Sequence, residues 1–128
     1  MRVIQINRKN GNLLNDLNGK MNGTVLFYHP QCSHCTALKP QWNEMKELLK
    51  KKNKNCSLYE VNGENMNEIN HPMKNVVNGF PTIMNINNGK LLQFEKERNT
   101  KNMIDFVLSN LENNNKEKKE ALNRLKKR

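Results

Sequence analysis

The stretch Thr24-Val25-Leu26-Phe27-Tyr28-His29-Pro30-Gln31-Cys32-Ser33-His34-Cys35 constrains this chain more than any other. Its β-branched and aromatic start reads as a buried strand, Thr24 to Tyr28, which breaks at His29-Pro30. From about Ser33 to Lys52 the apolar positions Leu38, Trp42, Met45, Leu48 and Leu49 recur three and four residues apart, predicting a long helix with one inward face. Pro40 lies inside that helix and is expected to kink it, because proline offers no N–H to the preceding turn. Two cysteines three positions apart are thereby delivered to a strand-to-helix turn.

That position has chemical consequences. Cys32 falls at the helix N-terminus, where free backbone N–H groups and the helix dipole favour a thiolate, the attacking form of cysteine. Cys35, one turn on, is expected to be shielded beneath it and able to attack a mixed disulfide formed on Cys32. His34, between them, can add positive charge or a hydrogen bond and make the disulfide a better oxidant. The same spacing is also half of a zinc site. The other candidate ligands, Cys56, His29 and His71, are scattered through the chain, so a redox pair is favoured and no metal or cofactor is expected.

The remaining elements follow from the pattern. Val3 to Ile6 reads as a first strand and Asn12 to Leu17 as a short helix carrying Leu13, Leu14 and Leu17 on one face. Ser57 to Val61 reads as a strand, followed by a short polar helix around Glu64 to Ile69. His71-Pro72 reads as a helix end. Gly79-Phe80-Pro81-Thr82 opens a strand from Ile83 to Ile86, and Asn87-Asn88-Gly89-Lys90 is a hairpin signal that returns Leu91 to Phe94 antiparallel. Thr100 to Leu111 reads as a helix. The order is β-α-β-α-β-α-β-β-α, an α/β fold with a central mixed sheet flanked by helices on both faces.

A length of 128 residues suits one domain, and only 35% hydrophobic residues make its core small. Three cysteines, two of them paired in sequence, point away from a stapled secreted scaffold. The start lacks a signal-peptide pattern and no apolar run approaches the roughly 18 residues of a membrane span, so a soluble intracellular protein is expected, with no membrane partner. The formal charge of +10 invites a nucleic acid or an acidic partner. However, 25 Asn and a large excess of Lys over Arg also fit an A/T-biased genome, as in some parasites and large DNA viruses; virion association is an expectation only for a viral source. About half of the net charge falls in 116–128, which holds seven basic and two acidic residues. Residues 1–112 therefore read as the folded domain and 113–128 as a basic extension that lacks aromatic residues for base stacking.

The segment from Val25 to Pro40, with Cys32-Ser33-His34-Cys35 at its centre, resembles the active-site segment of the thioredoxin superfamily, and is most like protein disulfide isomerase domains, whose motif is Cys-Gly-His-Cys. Gly79-Phe80-Pro81-Thr82-Ile83 is similar to the loop that carries that family's cis-proline, and Phe94 to Arg98 with Asp105-Phe106-Val107 follows its closing strand and helix. The resemblance covers roughly residues 3 to 112. It implies a thioredoxin fold and a thiol-disulfide oxidoreductase, oxidant- or isomerase-like, acting on protein thiols and disulfides. Cys32 would be the nucleophile, Cys35 the resolving thiol, His34 and Ser33 their modulators, and Phe80, Pro81 and Thr82 the substrate groove.

Three positions depart from the family pattern. Leu26 stands six residues before the first cysteine, where the family carries a buried acid that handles the resolving thiol's proton; slower release of substrate is therefore expected. Gln31 replaces an aromatic residue, and Ser33 a glycine. The alternative is a binding or structural protein that keeps the fold and docks on nucleic acid or an acidic assembly through its basic tail. Elsewhere, His29 reads as loop surface, Cys56 as a small apolar residue at a strand edge, Trp42 as core filler, and Lys50 to Lys54 as a solvated helix end.

Overall fold

The computed structural model describes residues 1–7, 9, 10, 14 and 22–111. Its strands are β1 (Arg2–Ile6), β2 (Asn22–Tyr28), β3 (Ser57–Asn62), β4 (Thr82–Asn87) and β5 (Lys90–Gln93). They form one five-stranded sheet in the order β1-β3-β2-β4-β5. β1 and β2 both run parallel to β3, whereas β4 is antiparallel to β2 and β5 to β4. Helix α1 (Ser33–Lys51) follows β2, and a second helix, α2, is described over 100–111. The expected helix at Asn12 to Leu17 (Leu14 apart) and the basic extension 113–128 lie outside the described residues.

β2 sits at the centre because every residue from Gly23 to Phe27 is buried, so neither of its faces meets water. Alternation along the strands then sorts the core into two layers. Val25, Phe27, Tyr59, Val61, Met84 and Ile86 face one way, packed with Leu14, Ile69 and Met73. Leu26, Leu58 and Ile83 face the other way, against Leu38, Trp42, Met45 and Leu49 of α1 and Met103 and Val107 of α2. Each fully buried aliphatic or aromatic side chain contributes about 1.5–3 kcal/mol. Cys56 belongs to the helix-side layer and is 4% exposed; it packs as a small apolar residue.

Local chemistry fixes the ends of the elements. α1 runs on through Pro40 as one element; Thr36 and Pro40 are both exposed, on the side where a carbonyl without a helical donor can be hydrated. Its C-terminus closes with Asn53 in the left-handed region at φ 53°, Asn53 N–H bonding Lys50 O (3.1 Å) and Lys54 N–H bonding Leu49 O (3.2 Å). That is a Schellman closure with asparagine in the place glycine usually takes. The β4–β5 turn has positive φ at both Asn88 (51°) and Gly89 (79°), the twist that a two-residue hairpin requires.

Three expectations need correction. The segment around Glu64 is a 3-10 helix, Gly63–Glu68, opened by the Asn62 side chain, which accepts from Glu64 N–H. His71-Pro72 starts an element instead of ending one. The buried His71 caps the 3-10 helix Pro72–Val76, its Nδ1 accepting from Met73 N–H (3.1 Å), with proline in the first turn where its missing N–H costs nothing. Phe94 to Arg98, expected near a closing strand, is loop after β5, although Phe94 N–H still bonds Ile83 O at 2.8 Å.

Buried polar bonds tie α2 to the sheet. Asn85 on β4 accepts from Thr24 Oγ1 (2.5 Å) and donates to Phe106 O (2.9 Å). Asn110 donates to Gly23 O (3.2 Å) and Ile86 O (3.3 Å). Asn85→Ala leaves the Thr24 hydroxyl and the Phe106 carbonyl buried without this partner, and each such group costs about 1–3 kcal/mol. Urea unfolding of this variant should therefore show a loss of about 2–3 kcal/mol with an unchanged m-value; an unmoved midpoint would contradict the tie.

Candidate active site

The site is assembled by three segments that β2 and β4 bring together: the turn after β2, the start of α1, and the loop entering β4. β2 ends at Tyr28, and the chain turns through His29-Pro30-Gln31, closed by Cys32 N–H bonding His29 O (3.1 Å) and Gln31 N–H bonding His29 Nδ1 (3.2 Å). Cys32 is the N-cap of α1, with extended backbone at φ −101° and ψ 116°. Its sulfur does what a serine or aspartate oxygen does at such a cap, accepting from the Cys35 backbone N–H at 3.2 Å. No acidic residue occupies the first turn of α1, so nothing there offsets the positive end of the dipole.

Across from this turn the Phe80–Pro81 peptide bond is cis, and the Cys32 thiol donates to Phe80 O at 3.3 Å. Phe80 and Pro81 are half-buried beside the cysteine. The Thr82 side chain is instead buried, its hydroxyl donating to Gly79 O at 2.6 Å, so it braces the loop from within. Ser33 and His34 are exposed at the start of the helix.

His29, expected as loop surface, is part of the site. It is half-buried, with its ring centroid 5.6 Å from that of Phe80 at 48°. Gly63 makes room for both rings: a Cβ there would lie 2.7 Å from Phe80 Cζ and 3.1 Å from His29 Cδ2. The aromatic wall beside Cys32 therefore depends on the glycine that follows β3.

The two thiols differ sharply. Partial burial works against the Cys32 thiolate. The Cys35 thiol and backbone N–H, the His34 backbone N–H and the Arg98 charge outweigh it, and together they hold Cys32 below the ordinary cysteine value. His34 thus acts on the sulfur through its backbone. For Cys35, burial, the hydrogen bond to Cys32 and the charge on Cys32 push the thiol up to about 11, against the opposing pull of the His29 backbone N–H and of Arg98. Cys56 is also raised, by burial first, and takes no part in the site. All three cysteines are free thiols. Among the described residues, no three His, Cys, Asp or Glu side chains are grouped to hold a metal ion.

Two charged residues went unrecognised in the sequence. Arg98 lies in the loop before α2, on a cavity of about 230 Å³ that it shares with Pro81, Ile83 and Phe94. Only the fold brings it near the cysteines, and no local pattern marks it. Glu60 on β3 is 6% exposed and faces α1. Its signal was present: in Leu58-Tyr59-Glu60-Val61 the alternation puts a carboxylate on the same buried face as Leu58.

With this geometry in view, the chain matches the thioredoxin family over residues 6–109. It is 32% identical over 91 residues to protein disulfide-isomerase 1 of Caenorhabditis elegans, covering 71% of this chain and 18% of that protein. It is 35% identical over 92 residues to the protein disulfide-isomerase like 2-2 of Arabidopsis thaliana, covering 70% of this chain and 20% of that one. The chain thus spans about a fifth of the length of these relatives. The first thioredoxin domain of mouse protein disulfide-isomerase A4 superposes with a TM-score of 0.64 at 22% identity, over 82% of this chain and 72% of that one. The family match spans most of the chain and the superposition reproduces its five-stranded mixed-sheet fold, and the chain belongs to the thioredoxin family.

Proposed function

We propose that the chain is a thiol-disulfide oxidoreductase of the oxidant or isomerase kind, cycling Cys32 and Cys35 between dithiol and disulfide on protein substrates. The observation that carries this reading is the geometry of the pair: Cys32 Sγ caps α1, accepting from Cys35 N–H at 3.2 Å beside the cis Phe80–Pro81 bond, which favours it as thiolate, while burial holds Cys35, one turn on, as thiol at about 11. Such a pair has a defined order of events. The Cys32 thiolate attacks one sulfur of a substrate disulfide, forming a mixed disulfide and releasing the other sulfur as thiolate. Cys35 then loses its proton and attacks Cys32 Sγ, the intramolecular disulfide forms, and the substrate leaves reduced. Run backwards, the same steps oxidise a substrate dithiol, and a pause at the mixed disulfide permits isomerisation. The half-buried Phe80–Pro81 edge, with His29 behind it, offers an apolar surface beside the nucleophile for extended substrate backbone.

Cys32→Ser should abolish both insulin reduction and refolding of scrambled ribonuclease; activity that survives the change would contradict the proposal. Cys35→Ser should instead accumulate mixed disulfides with substrate, visible as thiol-sensitive higher-mass species on non-reducing gels.

Because Arg98 favours both thiolates, Arg98→Gln should move the Cys32 titration upward. The rate of attack on a small disulfide at neutral pH should then fall, by about two- to fivefold for an exposed charge. At a pH high enough to ionise Cys32 fully, the two proteins should react alike. A rate difference that persists there would mean that Arg98 acts by packing, not charge.

A further inference from the structure

Resolution of the mixed disulfide requires Cys35 to lose a proton that its surroundings hold firmly. Position 26, directly paired with Glu60 in the β2–β3 ladder, is an apolar leucine. One strand over, Glu60 presents a carboxylate on the face of the sheet that α1 covers. Its Oε2 accepts from Trp42 Nε1 (2.6 Å) and Lys46 Nζ (2.9 Å), and its Oε1 accepts from Gln5 Nε2. A carboxylate offers about four acceptor positions, so three donors leave capacity for one more. Burying such a charge is costly unless it is paired, and here residues from β1 and α1 are committed to keeping it in place.

This carboxylate is not sealed in. Glu60 and Cys35 line one cavity of about 610 Å³, with Leu26, Tyr28, Trp42 and Lys46 between and around them, and the exposed Lys39 and Asn43 at its rim. The volume is ample for several water molecules, and the polar groups on its wall suit them. The titratable groups facing the cavity are Tyr28 and His29 from the end of β2, Cys35, Lys39 and Lys46 from α1, and Glu60 from β3. Tyr28 is held above its ordinary value by burial and then by the charges of Glu60 and Glu64, so it remains a neutral phenol through the working pH range.

We infer that Glu60 is the proton acceptor for Cys35 in the resolving step, reached through solvent in the shared cavity. This rests on the reading of Cys32–Cys35 as a redox pair. The Cys35 proton passes to the Glu60 carboxylate, and the Cys35 thiolate attacks Cys32 Sγ. The Cys32–Cys35 bond forms as the bond from Cys32 to the substrate sulfur breaks, and the departing thiolate takes back one proton. Two protein thiols are oxidised and one disulfide is reduced to two thiols, with no further reagent. While the proton is on Glu60, Lys46 remains as a positive charge on the wall of the same cavity. The slow second step expected from Leu26 is thereby offset: the acid is displaced to the neighbouring strand and its cation is supplied by α1.

Rapid mixing of the reduced protein with glutathione disulfide, followed by acid quench and mass spectrometry, separates the steps, since the Cys32–glutathione adduct first rises and then decays. With Glu60 as acceptor, decay of the wild-type adduct should be nearly independent of pH around neutrality. A rate that climbs tenfold per pH unit toward about 11 would mean that Cys35 ionises alone, and would overturn the inference. Glu60→Gln keeps the size of the side chain and an acceptor for Trp42. It should slow adduct decay at pH 7 by roughly 10- to 100-fold, within the range of general-base effects, and leave adduct formation within about twofold. Glu60→Asp, which keeps the carboxylate, should recover part of that loss. Unchanged or faster decay in Glu60→Gln, or an equal loss in both steps, would overturn the role of Glu60. A wild-type protein that forms no adduct would overturn the redox reading itself.

Discussion

The hydrogen bond from the Cys35 backbone N–H to the Cys32 sulfur is the contact on which the site depends. It makes a cysteine the N-cap of α1, and so couples the start of a 19-residue helix to the charge state of one sulfur. A cap residue is favoured when its side chain can accept, and a thiolate accepts better than a thiol. Helix initiation and thiolate formation therefore support each other. The apolar face of α1 holds the helix against the sheet through Leu38, Trp42, Met45 and Leu49, so the cap cannot drift away from the Phe80–Pro81 edge. Core packing, in this fold, is what aims the Cys32 sulfur.

The same helix organises the surroundings of Cys35. Trp42 is a core residue by burial, yet its indole N–H is spent on Glu60, and Lys46 one turn later is bound to the same oxygen. One face of α1 thus carries Cys35, the groups that hold a buried carboxylate, and the apolar contacts that set its height above β2 and β3. A thiol held at about 11 and a carboxylate in one water-accessible cavity form a unit whose members come from elements far apart in sequence.

How much of this could be read from the sequence follows from the range of the interactions involved. Local signals were reliable: the period-3.6 pattern of α1, the apolar run of β2, the Asn-Asn-Gly-Lys hairpin, and the CxxC position at a helix start all reappear within a few residues. The polar stretch after β3 has a helical pattern but forms a 3-10 helix capped by Asn62, because its few apolar residues cannot hold a longer amphipathic face. His-Pro marks a boundary without giving its direction, and the deciding bond, from Met73 N–H to the His71 ring, makes His71 the start of an element. His29, Arg98 and Glu60 were missed or undervalued for another reason. Each acquires its role from residues at least 14 positions away: Phe80 for His29, the cysteine pair for Arg98, and Trp42, Lys46 and Gln5 for Glu60. Leu26 is the instructive case. Taken alone it signals a lost proton acceptor, and only the β2–β3 register shows that a carboxylate stands directly beside it.

One helical turn makes two chemically unequal thiols. Ultraviolet titration of thiolate absorbance tests this most directly, with Cys32→Ser and Cys35→Ser variants to assign the steps. Two separate transitions are predicted, Cys32 below the ordinary cysteine range and Cys35 near 11. Both thiols titrating together in the ordinary range would contradict the account.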